Sequence, residues 1–296
     1  MNETRKEFDI VIDHCCELGE GPVWDAKTKS ICWLDILKGH IHEFCTINGK
    51  HKFIDVGQMV GCIAITSDGN FIAGLKDGLG FVNRQSGEVT LFHQPEHHLP
   101  KNRFNDGKCD PAGRFWAGTM SLEEKEGTGS LYMVDNNALV TKKISSVSIS
   151  NGLAWNMQKE EFYFIDTPTR EVLAFDFEIE TGKITKPRPV IRFSDDQGYP
   201  DGMTIDAEGK LWIAHWDGWQ VSRWDPASGK QLESIRLPVA KVTSCTFGGE
   251  TLEDLYITTA RRELKADELL SQPFAGALFV IKKCGYKGLP AVEYKS

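Results

Sequence analysis

One short pattern returns six times along this chain of 296 residues. Each copy has a glycine or serine near its start, continues as an apolar strand, and passes through a polar turn into a second, aromatic-rich strand. The first five residues of the six copies are 20–24, 60–64, 106–110, 151–155, 201–205 and 243–247. Their spacing of roughly 40 to 50 residues is the period of β-propeller blades. The repeat therefore predicts an all-β fold, a six-bladed β-propeller whose blades are four-stranded antiparallel sheets.

The fifth repeat shows the predicted blade most clearly. Strands are expected over 202–206, 211–216 and 220–224, with a fourth near 231–235. The turns between them contain Glu-Gly and Asp-Gly pairs, which suit hairpins because glycine tolerates positive φ. Helical periodicity is weak except over 264–270, where a short helix is predicted.

The segment at residues 8–12 is predicted to be a strand that has no blade of its own. We expect it to pair with the outer edge of the last blade and so close the ring, because an open strand edge invites unwanted pairing. The six repeats account for nearly all of the chain, which predicts a single β-propeller domain over residues 1–296.

Composition and charge exclude several classes of partner. The formal charge is −8 and no basic stripe is present, which argues against nucleic acid as a partner. No stretch is apolar for long enough to span a membrane, and the charged first residues do not resemble a signal peptide. The eight cysteines include no CxxC pair, which favours a reduced, cytoplasmic protein. No obligate protein partner is predicted, and the adjacent pair Cys15 and Cys16 has no assigned role.

Four of the six repeats carry an acidic or amide residue just before the glycine: Glu20, Asp106, Asn151 and Asp201. The first strand of each propeller blade lines the central channel, so these side chains should converge at one mouth. Several carboxylates facing one channel repel each other unless a cation or protons neutralise them. Oxygen donors of this kind suit a divalent cation. The alternative is that Asp-Gly and Asn-Gly pairs merely form turns before each strand.

The third repeat adds two polar residues that alternate around Phe104. Arg103 and Asn105 can therefore point the same way, towards the channel mouth, where they suit the hydroxyl groups or carbonyl of a polyol-like ligand. The alternative is a loop arginine paired with a surface acid. His215 and Trp216 are interpreted as core or rim packing, and the alternative is that they wall the channel mouth.

The remaining histidines and serines do not indicate a catalytic site. The histidines at positions 40, 42, 51, 97 and 98 fall in polar outer-strand or loop regions and are predicted to be solvated. No Gly-x-Ser-x-Gly segment occurs, so a serine hydrolase is disfavoured.

Several segments together resemble the SMP-30/gluconolactonase/regucalcin family. They lie at residues 19–24, 102–108, 118–120, 149–153, 199–203, 247–249 and 256–260, in matching order and spacing. The resemblance covers roughly residues 15 to 280, and it implies a six-bladed propeller that acts as a metal-dependent sugar lactonase.

The resemblance implies that Glu20, Asn151 and Asp201 bind one divalent metal ion. The identity of that ion stays open among Ca²⁺, Zn²⁺, Mn²⁺, Mg²⁺ and Fe²⁺. Asp106 does not match a usual ligand of the family and is expected to have a supporting role. Val60 and Thr243 leave two blades out of the metal site.

The resemblance further implies that Arg103 and Glu123 hold the substrate, and that Asn105 reaches the metal or its ligand and helps to orient the substrate. The charge-rich loop at 121–126 also allows a register in which Glu124 takes the place of Glu123.

The implied reaction is hydrolysis of a sugar lactone, an aldonolactone, to the aldonic acid in carbohydrate catabolism. Asp201 is the expected general base, with a water-relayed base or hydroxide formed at the metal as alternatives. The alternative functions are a propeller esterase or phosphotriesterase-like hydrolase and a non-catalytic calcium-binding propeller.

Overall fold

Six four-stranded antiparallel sheets make up the computed structural model, which describes residues 7–295. The first blade contains β2 (Gly19–Asp25), β3 (Ser30–Asp35), β4 (His40–Cys45) and β5 (His51–Asp55), and the second contains β6 (Val60–Ile65), β7 (Phe71–Leu75), β8 (Leu79–Val82) and β9 (Val89–His93). The third blade contains β10 (Asn102–Cys109), β11 (Phe115–Ser121), β12 (Gly129–Val134) and β13 (Val140–Val147), and the fourth contains β14 (Ser150–Asn156), β15 (Glu161–Asp166), β16 (Glu171–Glu178) and β17 (Lys183–Arg192). The fifth contains β18 (Tyr199–Ile205), β19 (Leu211–Trp216), β20 (Gln220–Asp225) and β21 (Lys230–Arg236), and the sixth contains β22 (Val242–Gly248), β23 (Asp254–Thr259), β24 (Leu278–Ile281) and β1 (Asp9–Ile12). The predicted six-bladed propeller is confirmed.

The N-terminal strand completes the sixth blade, as the sequence predicted. β1 runs antiparallel to β24, with Asp9 opposite Val280 and Ile10 opposite Phe279. The order in this sheet is β1-β24-β23-β22, so β1 covers the edge that the last blade would otherwise expose.

Helical structure is sparse in the described part of the chain. The short helix expected over 264–270 is present as α1 (Ala266–Ser271), and two three-residue 3-10 turns occur at Thr167–Thr169 and Asp195–Gln197. Among residues 7–295, no helix is both long and apolar enough to cross a membrane.

The core lies between neighbouring blades. Every residue of β3, β6, β7 and β14 is buried, whereas β5 and β9 contain no fully buried residue. An inner strand packs on both faces, so its sequence is an almost continuous apolar run. Trp33, Trp116 and Trp212 occupy the second strands of their blades and are buried almost completely.

The innermost strand of every blade carries an irregularity at the repeated residue pair. Pairing with the second strand is interrupted between Glu20 and Val23, Val60 and Cys62, Phe104 and Gly107, Asn151 and Leu153, Pro200 and Met203, and Val242 and Ser244. The repeated pairs are therefore β-bulges within the strands and not turns that precede them. A bulge bends a strand and redirects its side chains.

The glycine of the repeated pair allows neighbouring innermost strands to approach closely. A Cβ atom on Gly61 would lie 2.1 Å from the carbonyl oxygen of Phe104, and one on Gly202 would lie 2.1 Å from Ser244 Oγ. No side chain fits at either position without moving the next blade.

The C-terminal segment crosses the channel at the end opposite the repeated bulges. Gly288 forms an isolated bridge with Asp206, and Tyr294 forms one with Thr66. Residues 289–292 line a cavity of about 130 Å³ at this end. Access to the polar residues at the bulges is therefore from the other mouth.

Candidate metal and substrate site

A cavity of about 370 Å³ at the open end of the channel brings most of the predicted site residues together. Its polar and charged lining residues are Glu20, Arg103, Asn105, Glu124, Asn151, Thr167, Asp201, Arg262 and Glu263. Its apolar and aromatic lining residues are Leu18, Met120, Ile149, Pro168, Tyr199 and Trp216.

The three residues expected to bind a metal come from three different blades. Glu20 lies on β2, Asn151 on β14 and Asp201 on β18, each at the bulge of its innermost strand. All three are buried, with between 4% and 6% of their surface exposed. The equivalent positions of the second and sixth blades carry Val60 and Thr243, so the oxygen donors are unevenly distributed around the axis.

Burial and mutual repulsion disfavour the ionised forms of these carboxyl groups. Burial, followed by the charge of Asp106, raises the pKa of Glu20 to about 8. Burial and the charges of Glu20 and Asp106 raise the pKa of Asp201 well above its ordinary value. The nearby Arg103 guanidinium acts in the opposite direction on both groups but does not cancel the effect.

Asp106 lies below these residues, on the side of the channel that faces the C-terminal segment. Its carboxylate accepts a hydrogen bond of 2.7 Å from the backbone N–H of Gly107. Burial raises its pKa, although the neighbouring Lys108 ammonium lowers it. Lys108 itself donates to the carbonyl oxygen of Met203 at 2.7 Å. Asp106 therefore contributes charge to the site without lining the cavity at its mouth.

These donors fit a divalent cation. Two carboxyl groups and one amide oxygen are buried together, and a third carboxylate adds negative charge beneath them. A bound cation would remove the repulsion that raises the pKa values of Glu20 and Asp201. Oxygen-only donors suit Ca²⁺, Mg²⁺ or Mn²⁺ and are also compatible with Zn²⁺ or Fe²⁺.

A chain of hydrogen bonds links Arg103 to Asn151. Arg103 Nη1 donates to Asn105 Oδ1 at 2.6 Å, and Asn105 Nδ2 donates to Asn151 Oδ1 at 2.9 Å. Asn151 Nδ2 in turn donates to Thr167 Oγ1 at 2.8 Å, and the Thr167 hydroxyl donates to the carbonyl of Pro200 at 2.8 Å. This chain fixes the amide of Asn151 with its oxygen directed away from Thr167.

Arg103 lines the cavity and has a buried donor without a partner. It is only 2% exposed, and its Nε atom is buried without a hydrogen-bond partner among residues 7–295. Burial, and then the positive charge of Arg262, lower the pKa of Arg103 to about 10, so it stays protonated at neutral pH. A buried guanidinium N–H without a partner is unfavourable unless an acceptor binds there.

Of the two glutamates in the loop at 121–126, the structure brings Glu124 to the cavity and not Glu123. Glu123 forms a surface ion pair with Lys101, and its side chain is 58% exposed. The Glu124 N–H donates to the Ser121 carbonyl at 2.9 Å in a tight turn, where Glu124 has a φ of 52°. This turn directs the two glutamates to different sides. Glu124 Oε1 lies 3.7 Å from Arg262 Nη2 at the rim.

Tyr199 and Trp216 form the aromatic side of the cavity, and the sequence placed only Trp216 at the core or rim. Tyr199 lines it beneath Arg170, whose Cζ lies 3.9 Å from the centre of the ring. Trp216 also lines it, with Lys241 Nζ 4.1 Å from its ring centre. Trp216 ends β19, and its position at the mouth follows from where that strand stops, which a repeat pattern does not specify.

The other histidine predictions had mixed outcomes. His215 is buried, and its Nε2 lies 2.5 Å from Ser222 Oγ, which agrees with a packing role. His97 and His98 are exposed as expected. His42, in contrast, is fully buried, so the prediction that it is solvated is wrong.

The fold and the site define a six-bladed propeller with an oxygen-lined centre at one mouth of its channel. The sequence profile described as "SMP-30/Gluconolactonase/LRE-like region" matches residues 18–261. The chain belongs to this family.

Two relatives are similar over nearly the whole chain. Regucalcin of Danio rerio is 38% identical over 290 residues, which cover 97% of this chain and 98% of that protein. The Bacillus subtilis (strain 168) protein named "Putative sugar lactone lactonase YvrE" is 38% identical over 275 residues, which cover 92% of this chain and 94% of that protein.

A solved structure shows the same architecture. The crystal structure of a calcium-binding protein, regucalcin, from Agrobacterium tumefaciens str. C58 superposes with a TM-score of 0.94 at 29% identity. The match covers all of both chains.

Proposed function

We propose that this protein hydrolyses a sugar lactone, an aldonolactone, to the aldonic acid and that it requires a divalent metal ion. The convergence of Glu20, Asn151 and Asp201 beside the buried Arg103, at the open end of a channel, carries the proposal. The similarity to a relative named as a sugar lactone lactonase supports this choice of substrate.

The proposed metal ligands are Glu20, Asn151 and Asp201. When bound, a divalent ion at such donors polarises a carbonyl oxygen and lowers the pKa of water. Asn105 holds Asn151 in place through its 2.9 Å hydrogen bond and is therefore a positioning residue as well as a candidate contact for the substrate.

Asp201 is the proposed general base. It lies at the base of the cavity, where its carboxylate can accept a proton from the water that attacks the lactone carbonyl. Addition of water and cleavage of the ring C–O bond give a carboxylic acid and an alcohol on the same molecule. The proton that Asp201 accepts is returned to the leaving alkoxide.

Arg103 and Glu124 are proposed to hold the sugar. The Arg103 guanidinium lines the cavity and can donate to a ring hydroxyl or to the lactone oxygen, and positioning of this kind contributes several kcal/mol to lowering a barrier. Glu124 lines the cavity where Glu123 does not, so we assign to Glu124 the role that the resemblance implied for Glu123. Trp216 offers an apolar face to the C–H groups of the sugar.

We further infer that the protein works in carbohydrate catabolism in the cytoplasm. All eight cysteines, which lie within the described residues, are free thiols, and this fits a reducing compartment.

The test measures the hydrolysis of a panel of aldonolactones, with proton release as the readout. Metal-stripped protein is assayed alone and after separate addition of Ca²⁺, Mg²⁺, Mn²⁺, Zn²⁺ or Fe²⁺. We expect at least one lactone and ion to restore turnover, and Asp201→Asn to abolish it while circular dichroism stays unchanged. The proposal would be contradicted if every combination of lactone and ion gave only the background rate. It would also be contradicted if the protein turned over aryl esters and phosphotriesters but no lactone.

A further inference from the structure

A group of four histidines lies on the first blade, outside the channel site. His40 and His42 are on β4, His51 begins β5, and His14 lies in the connection between β1 and β2. None of them lines the channel cavity. Facing strands build the group, since His42 is opposite Phe53 on β5 and opposite Trp33 on β3.

Three of the four histidines are close enough to share one ion. Each of His14, His40 and His42 offers a ring nitrogen, and these three nitrogens lie within 4.8 Å of one another. Nitrogens bound to one tetrahedral zinc ion, with bonds near 2 Å, lie about 3.3 Å apart. Small rotations of the side chains would therefore complete a three-histidine site, which leaves one position for water.

Two features favour a ligand over simple packing. His40 Nδ1 is buried and has no hydrogen-bond partner among residues 7–295, so it lacks what a buried polar atom normally has. His51 Nε2 lies 3.1 Å from His42 Nδ1, the kind of outer contact that orients a histidine ligand.

The surrounding rings hold the imidazoles in place. Trp33 stacks on His42 with ring centres 5.0 Å apart, and Phe53 stacks on His40 at 4.5 Å. Burial, and then the neighbouring His14, lower the pKa of His42 to about 3, and burial also lowers the pKa of His14. Neutral imidazoles keep the lone pair that a metal needs.

We propose that His14, His40 and His42 bind a borderline transition-metal ion such as Zn²⁺ at a site separate from the channel. Imidazole ligands favour such ions over Ca²⁺ or Mg²⁺. His14 follows β1, which belongs to the sixth blade, whereas His40 and His42 belong to the first blade. The ion would therefore link the sixth blade to the first blade, where the propeller ring closes.

The experiment measures zinc binding to full-length, tag-free, metal-stripped protein. Wild type, His14→Gln, His40→Gln and His93→Gln are titrated with Zn²⁺ and analysed for bound metal after dialysis. His93 is an exposed histidine on β9 and serves as the matched control. We expect wild type and H93Q to retain one more equivalent of zinc than H14Q and H40Q, while lactone hydrolysis is the same in all four.

Two further measurements assign the site. Cu²⁺ bound to wild type should show nitrogen splitting in its electron paramagnetic resonance spectrum, and this splitting should weaken in H40Q. Zinc should raise the Tm of wild type more than that of H14Q, whose substitution lies in a connecting segment outside the strands. Equal zinc content in all four proteins would overturn the proposal. Asp201→Asn is titrated as a fifth protein, and if it alone loses the additional equivalent of zinc, that ion binds in the channel and the proposal is also overturned.

Discussion

Glu20→Gln should make the metal-free protein more stable at alkaline pH, although it removes a proposed metal ligand. The reason is the raised pKa of Glu20, which rises from 4.5 to about 8 on burial next to Asp106. The folded state then holds a proton that the unfolded state has released. The contribution of Glu20 to the stability of metal-free wild type is therefore fully present below about pH 4.5 and is lost as pH rises towards 8. Glutamine cannot ionise and removes this part of the decline.

The size of the effect follows from proton linkage. When only the folded state holds a given proton, the free energy of unfolding falls by about 1.4 kcal/mol for each unit by which the pH rises. Between pH 4.5 and 8 the ionisation of Glu20 thus costs at most about 5 kcal/mol. A bound cation opposes this difference, because it stabilises wild type by about 2.7 kcal/mol at one hundred times its Kd.

The assay is urea denaturation of chelator-treated wild type, E20Q and the control Glu88→Gln at pH 5, 6.5 and 8. Glu88 is exposed and precedes β9, so its substitution should leave the pH dependence of wild type intact. The series is repeated with Ca²⁺, which imidazole ligands do not favour. If metal-free E20Q loses stability with pH as steeply as wild type, or gains as much from Ca²⁺, the account of the site is wrong.

Three further predictions concern the cavity and its support. Glu124→Gln should raise the KM for the lactone about tenfold, while Glu123→Gln, whose side chain points to solvent, should not change it; steady-state kinetics decides. Arg103→Lys keeps the charge but loses the planar donor, so kcat/KM should fall about 10- to 100-fold with an unchanged circular dichroism spectrum. Gly61→Ala should lower the free energy of unfolding by about 1–3 kcal/mol in urea, because its methyl group meets the Phe104 carbonyl oxygen; wild-type stability in this variant would contradict the close approach.

The sequence predicted the blades well because their signals are local. Apolar runs, aromatic second strands and glycine turns repeat within each blade, and the isolated strand at Asp9–Ile12 could only complete a sheet. The bulges were missed for a physical reason. A polar residue followed by glycine looks the same in a turn and in a bulge, and the difference at Gly61 depends on the carbonyl of Phe104 in the next blade.

The site was predictable where it follows the repeat. Glu20, Asn151 and Asp201 occupy equivalent positions, and the structure brings them to one cavity. Glu124 was harder to place, because its left-handed turn is formed without a glycine or asparagine that would mark it. Arg262 lies outside the repeated phrase, so no periodic signal pointed to it.

The six bulges separate the folding of this protein from its chemistry. Trp33, Trp116 and Trp212, which are buried between blades, lie on second strands, whereas the polar residues of the channel lie where the innermost ladders are interrupted. Replacing the polar residue of a bulge, but not its glycine, therefore changes what the channel binds while leaving the buried second strands in place. A ring built in this way can acquire new substrates one blade at a time.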